Sequence, residues 1–299
     1  MSFRSHRVPA DLTASRLAKA REHMGGIPFD LTTSNPTSCE FPYPTDLLGP
    51  LSHERGLVHE PDPRGHPSTR AAVALEYRKW RIEVDPDHVF LTASTSEAYG
   101  FLFRLLADPG ETVLVPAPSY PLFDHLARLD GIRVQSYSLD PDTGWRIDFS
   151  MLENARDAVR AVLVVHPNNP TGSFVHPEDA QRLAILCADR GWALIADEVF
   201  LSFVLDGGPG EGISFAGTDE CLCFSLGGLS KSLGLPQLKL AWIAVSGPTE
   251  PVRRAIEGLE YIADAYLSVS TPISLAAPQL LAEGGMLRKA ILERCRANL

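Results

Sequence analysis

Short apolar runs of strand length recur from about residue 86 onward, and segments with helical spacing of apolar positions separate them. The runs are HVFLT, TVLVPAP, AVLVVH, WALIAD, CLCFSL and LAWIAV. They are rich in β-branched and aromatic residues and are bounded by Gly, Pro, Asn and Ser, which predicts strands. Between them, EAYGFLFRLLADPG and PEDAQRLAILCADRG read as helices that end at glycine. Strands alternating with helices predict an α/β domain around a mostly parallel sheet. Upstream, DLTASRLAKAREHMGG predicts a helix with an Asp/Thr start and a Gly-Gly stop. EPDPRGHPSTRAAVALEYRKW predicts a turn leading into an amphipathic helix.

Composition narrows the class. The 299 residues are 44% hydrophobic and 21% charged, enough apolar material for one large or two medium domains. The formal net charge of −10 argues against a nucleic-acid partner, which needs clustered Lys and Arg. Cys39, Cys187, Cys221, Cys223 and Cys295 are odd in number and scattered, as for reduced thiols of a cytoplasmic protein. Cys221 and Cys223 alternate as on a strand, with no second Cys or His pair nearby, so burial rather than metal binding is expected of them. No apolar run is of membrane-spanning length.

In open α/β sheets, ligands collect beyond the carboxyl ends of the strands. After HVFLT come Ser94, Thr95 and Ser96, opening a helix where free N–H groups and the helix dipole favour an anion such as phosphate; a plain N-cap is the other reading. After TVLVPAP come Ser119, Tyr120 and Pro121, an aromatic in a stiff turn that either packs or offers its face to a planar ring. After AVLVVH, the PNNPTG turn holds Asn168 and Asn169. WALIAD closes on Asp197, a cap, an ion-pair member or a functional carboxylate. CLCFSL leads into the Gly/Ser-rich turn holding Lys231, with Lys239 eight residues on.

Taken together, a phosphate anchor, an aromatic plate, an amide, a buried carboxylate and a lysine describe a site for pyridoxal 5′-phosphate. Its aldehyde needs a primary amine for a Schiff base, which Lys231 carries. Its pyridine nitrogen stays protonated beside a buried carboxylate, Asp197. Its phenolic oxygen needs a donor, the Asn169 amide, and its phosphate needs the helix start after Thr95 and the ammonium of Lys239.

HPNNPTG, IADEVF and LSKSLGLPQLKLAW resemble the signature segments of the class I/II aminotransferases, the aspartate-aminotransferase-like branch of the fold-type-I pyridoxal-phosphate enzymes. LTTSNPT, LTASTSEAY and VPAPSYPLF also fit their places in that family, and the likeness runs from about residue 29. The resemblance implies a three-layer α/β/α large domain with a mostly parallel sheet over residues 46–265. An N-terminal arm would precede it at 1–45, and an incomplete small α/β domain would begin at 266–299. It implies catalytic roles for Lys231 and Asp197, and cofactor binding by Ser94, Thr95, Tyr120, Asn169, Asp197, Ser230, Lys231 and Lys239. Ser34, Asn35 and Asn169 would meet a substrate, an amino acid or a 2-oxo acid. A cytoplasmic homodimer, with neither nucleic acid nor membrane as partner, completes what it implies.

Several positions depart from the family. Lys239 stands where an Arg is usual, Phe200 replaces a Tyr that donates to the ring oxygen, and Gly228 replaces a phosphate-binding Ser. His59 falls near an aromatic phosphate ligand that the partner subunit often supplies. The sequence stops before the arginine that clamps the substrate carboxylate, so it reads as a truncated form, and 266–299 reads as helices whose apolar faces expect partners that are missing. Two readings stay open beside transamination: a carbon–sulfur or other α,β-eliminating lyase, and an inactive cofactor-binding fragment. DGGPGEG at 206–212 lacks the following Lys-Ser/Thr of a P-loop.

Overall fold

A computed structural model describes residues 5–13, 15–24, 34–156, 158–205 and 213–299. The Gly-Gly stop at 25–26, the first residues of LTTSNPT and the DGGPGEG segment lie outside the described residues.

Among the described residues the strands form one eight-stranded sheet. They are β1 (Val89–Thr92), β2 (Thr112–Ala117), β3 (Arg133–Asp140), β4 (Arg146–Ile147), β5 (Val159–Val165), β6 (Ala193–Asp197), β7 (Cys223–Gly228) and β8 (Ala241–Ser246). The spatial order is β1-β8-β7-β6-β5-β2-β3-β4. The ladder from β7 through β6, β5 and β2 to β3 is parallel, and β8 and β4 pair antiparallel with their neighbours. All six strands expected from the apolar runs are present. β3 and β4 were not expected: β3 lies toward the sheet edge, and its sequence RVQSYSLD is largely polar because much of it is exposed.

Helices are α1 (Arg16–His23), α2 (Pro67–Arg78), α3 (Thr95–Leu106), α4 (Leu122–Asp130), α5 (Phe149–Glu153), α6 (Pro177–Arg190), α7 (Leu229–Ser232), α8 (Thr249–Asp264), α9 (Thr271–Glu283) and α10 (Gly285–Asn298). α1 starts later than its Asp/Thr signal suggests. Ser15 is its N-cap, accepting from the Ala18 N–H at 3.1 Å, while Asp11 turns back to the Thr13 N–H. α6 ends at Gly191 in the left-handed conformation, as expected, but α3 ends at Ala107, before Gly110.

Period-two alternation on the central strands fills both faces of the sheet, which makes three layers. Ala161, Leu163, Val165, Ile195, Phe224, Leu226 and Ile243 pack with Phe101 and Leu102 of α3, Phe123 of α4 and Val252 and Leu259 of α8. Val162, Val164, Leu194, Ala196 and Cys223 point the other way, onto Leu152 of α5 and Leu183 and Cys187 of α6. Cys187, Cys221 and Cys223 are free thiols within this second cluster. Near the β1 edge, Val89, Leu91, Trp242 and Ala244 pack with Val73 and Tyr77 of α2 and with Ile273, Ala276, Ala277 and Leu280 of α9. Here the expectation for 266–299 is corrected. The apolar face of α9 is buried against the sheet and α2, and the Thr69 hydroxyl of α2 donates to the Ser274 carbonyl of α9.

Candidate active site

β1, β2, β5, β6 and β7 all end at one edge of the sheet. Chain order reverses between β5 and β2, so their loops diverge and leave a crevice. A cavity of about 250 Å³ opens there. Ser94, Thr95, Tyr120, Asn169, Asp197, Ser230, Lys231 and Lys239 all line it.

Lys231 stands on α7, the single turn after β7. One backbone and one side-chain hydrogen bond hold the turn: the Leu229 N–H donates to the Leu240 carbonyl at 3.0 Å, and the Ser232 hydroxyl to the Gly228 carbonyl at 2.8 Å. Lys231 Nζ lies 5.8 Å from the centroid of the Phe200 ring. A Cβ on Gly227 would meet the Trp242 indole at 2.5 Å. The glycines before the lysine therefore serve close strand packing as well as the cavity wall.

Asp197 is the last residue of β6 and is buried. Its Oδ2 accepts from the Tyr99 hydroxyl at 2.6 Å and its Oδ1 from the Val199 N–H at 3.2 Å. Burial pushes this carboxyl up from its ordinary range. The two hydrogen bonds and the Lys231 charge pull the other way, and the net shift is upward.

The two asparagines divide the work of the β5 loop. Asn168 is buried and structural: its amide donates to the Pro118 carbonyl at 3.1 Å and to the Thr171 hydroxyl at 2.9 Å, tying this loop to the one after β2. Asn169 is left to face the cavity. His166 buttresses the same loop. The Val175 N–H donates to its Nδ1 at 3.0 Å, so its proton is on Nε2, which donates to the Ile213 carbonyl at 2.8 Å.

At the opposite end, α3 presents its first turn. Both readings of Ser94 hold: it lines the cavity, and its hydroxyl caps the helix by accepting from the Glu97 N–H at 3.2 Å. Glu97 reaches back to the Ala93 N–H at 2.7 Å, a reciprocal arrangement close to a capping box. Thr95 and Ser96 then offer hydroxyls beside the free N–H groups of the first turn. Lys239 is exposed and takes the left-handed conformation at φ 53°.

The substrate-facing pair, Ser34 and Asn35, is not brought to the cavity wall. Asn35 is exposed and caps the turn Pro36–Ser38, its Oδ1 accepting from the Thr37 N–H at 3.1 Å. That turn adjoins the loop after Lys231, where the Tyr43 hydroxyl donates to the Gly234 carbonyl at 2.7 Å. His59 is exposed and lines a separate polar hollow with Ser268 and Ser270. Tyr99 was missed by sequence reading, although its position four residues after Thr95 on a helix puts it on the same face. Ser96, named with Ser94 and Thr95 at the helix start, lines the cavity too, whereas Val165 and Val199 were missed as lining residues.

With the geometry in place, comparison with known proteins supplies the class. Residues 51–294 match the family of class I and II aminotransferases. The chain is 30% identical over 274 residues to an alanine aminotransferase of Mycobacterium tuberculosis, covering 89% of this chain and 62% of that protein. It is 32% identical over 224 residues to nicotianamine aminotransferase A of Hordeum vulgare, covering 73% of this chain and 48% of that one. The solved structure of an alanine aminotransferase from Pyrococcus furiosus superposes with a TM-score of 0.81 at 26% identity, covering 93% of this chain and 72% of that one. The chain belongs to the class I and II aminotransferases, a pyridoxal-phosphate-dependent family. It spans 62% of the length of the mycobacterial relative and 48% of the barley one.

The residues present fit that cofactor. A primary amine and a buried carboxylate share one cavity, an amide and an aromatic ring line it, and a hydroxyl-bearing helix start suits an anion. Among the described residues no three His, Cys, Asp or Glu side chains gather as a metal site, and no helix is long and apolar enough to cross a membrane.

Proposed function

We propose that the chain is the core of an aminotransferase that moves an amino group between an amino acid and a 2-oxo acid. The observation that carries this reading is the shared cavity of Lys231 and Asp197, at the ends of neighbouring parallel strands. When bound, pyridoxal phosphate supplies a conjugated ring that takes up the electron pair left on a substrate carbon.

The chain's own groups do the rest. Lys231 would hold the cofactor through Nζ and would be the group that moves the proton at the substrate Cα. Asp197 holds a proton on the ring nitrogen, which fits a carboxylate kept out of water with oriented donors on both oxygens. Asn169 would donate to the ring oxygen, and Tyr120 would pack against the ring. Ser94, Thr95, Ser230 and Lys239 hold the phosphate. Ser34 and Asn35 approach the substrate only if the turn that Asn35 caps moves toward the cavity.

We further read residues 46–265 as the cofactor-binding domain and 266–299 as the beginning of a smaller one. We place the protein in the cytoplasm, which its free thiols suit. A homodimer is proposed as the working form, as the resemblance to the family implies.

Visible absorption of the purified protein with added pyridoxal phosphate tests the reading. A band that vanishes in Lys231→Ala, together with conversion of a 2-oxo acid acceptor into its amino acid, is the expected result. Ammonia and pyruvate released without any acceptor would assign elimination instead. A band that no amino acid changes would reduce the protein to cofactor binding.

A further inference from the structure

α3 spans two ends of the site on one face. Thr95 is its first residue and Tyr99 follows at the i+4 position, one turn further along. Tyr99 belongs to the apolar core and is 2% exposed. Phe123 holds its ring edge-on at 5.2 Å, and Phe103 lies at 5.9 Å. A phenylalanine would fill the same apolar volume, and a phenol hydroxyl buried without a partner is costly. The hydroxyl instead reaches the cavity wall and donates to Asp197 Oδ2 at 2.6 Å.

With the Val199 N–H on Oδ1, each carboxylate oxygen now has one fixed donor. An ionised carboxylate offers about four lone-pair sites, so accepting capacity remains for a further donor. Two donors on different oxygens set the plane of the group as well as its position. Burial keeps the Tyr99 phenol protonated, its pKa being pushed well above the ordinary value, so it acts only as a donor toward Asp197.

Resting on the cofactor reading above, we propose that Tyr99 is a positioning residue that orients the Asp197 carboxylate toward the protonated pyridine nitrogen of pyridoxal phosphate. Because Thr95 and Tyr99 lie on one rigid helix turn, the same element sets the distance between the phosphate cradle and that carboxylate. Tyr99 acts through Asp197 and touches no reacting atom.

The test compares two ligands binding to apoprotein, followed by quenching of protein fluorescence: pyridoxal phosphate, and its analogue with carbon in place of the ring nitrogen. In Tyr99→Phe, pyridoxal phosphate binds about tenfold more weakly, the expected effect of losing one hydrogen bond to a charged group. The analogue binds as it does to the unaltered protein. The nitrogen-specific loss disappears when Asp197→Asn is already present. Tyr99→Leu, which also disturbs packing, shows the same ratio between the two ligands, since packing losses affect both alike. Equal losses for both ligands, or none for either, overturn the role of Tyr99 and leave the cofactor reading standing. Failure of the unaltered protein to bind pyridoxal phosphate removes both.

Discussion

Gly228 pairs with Ala241 across the antiparallel ladder of β7 and β8, and a Cβ on Gly228 would lie 3.0 Å from that of Ala241 and 3.1 Å from the Leu240 carbonyl oxygen. Both neighbours are fixed to the backbone, and the Leu240 carbonyl already accepts from the Leu229 N–H. The resemblance to the family implies a phosphate-binding serine at this place, and here a side chain would force its two neighbours to give by a few tenths of an ångström. Gly228→Ser is expected to destabilise the protein by about 1–3 kcal/mol, the usual cost of overpacking. Ala241→Gly recovers part of that loss. Urea midpoints of the two single variants and the double variant check both statements; additive effects would mean that the contact is not the cause.

Lys239 holds a left-handed backbone conformation, which favours glycine, while its ammonium borders the cavity. Lys239→Gly should therefore separate two effects. Relief of the backbone, offset by the greater freedom of glycine when unfolded, leaves a net gain of about 0.5 kcal/mol in stability without cofactor. Affinity for pyridoxal phosphate falls, and so does its sensitivity to salt. Lys239→Arg restores a two-pronged partner for phosphate and tightens binding. Thermal melts of apoprotein and equilibrium dialysis at two salt concentrations distinguish these outcomes.

Glu198, next to Asp197, is buried beneath the site and accepts from the Ser214 hydroxyl at 2.7 Å and the Phe215 N–H at 2.6 Å. Burial pushes its pKa up to about 8 from 4.5. Between those two values the unfolded chain has released a proton that the folded chain keeps, so this group's contribution to stability falls as pH rises and levels off above about 8. The difference in melting temperature between the unaltered protein and Glu198→Gln should follow that slope. A difference independent of pH would show that Glu198 is ionised in the folded protein throughout.

His166 contributes with the opposite sign. Burial lowers its pKa to about 4 from 6.5 and outweighs the hydrogen bond to the Ile213 carbonyl, which favours the protonated ring. Across that window the unfolded chain binds the extra proton, so stability rises with pH and levels off above 6.5. His166→Ala should remove this slope. It should also cost about 2 kcal/mol by leaving the Val175 N–H and the Ile213 carbonyl unpaired. Because His166 braces the loop that carries Asn169, cofactor affinity should weaken in the same variant.

Much of the site was legible in the chain because strand ends are marked locally. The change from an apolar run to Ser-Thr, Ser-Tyr, Asn-Asn, Asp or Gly-Gly-Leu-Ser-Lys shows where a strand stops. A parallel sheet carries all those stops to one edge, so Thr95, Tyr120, Asn169, Asp197 and Lys231 meet around one cavity. β3 was illegible for the converse reason. Next to the sheet edge and flanked on its outer side only by the two-residue β4, it keeps many of its side chains in water, and its residues lack the apolar signature of a buried strand.

The sequence by itself determined the alternation of strand and helix, the residue type at each strand end and, through its signature segments, the family. Tertiary structure alone decided the pairings that span long stretches of chain. Tyr99 meets Asp197 across 98 positions, α9 covers its apolar face on α2 rather than waiting for a partner, and Asn35 turns into its own cap. The physical reason is that a side chain's type follows from its own local needs, whereas its partner depends on how the sheet closes and which surfaces that closure brings together.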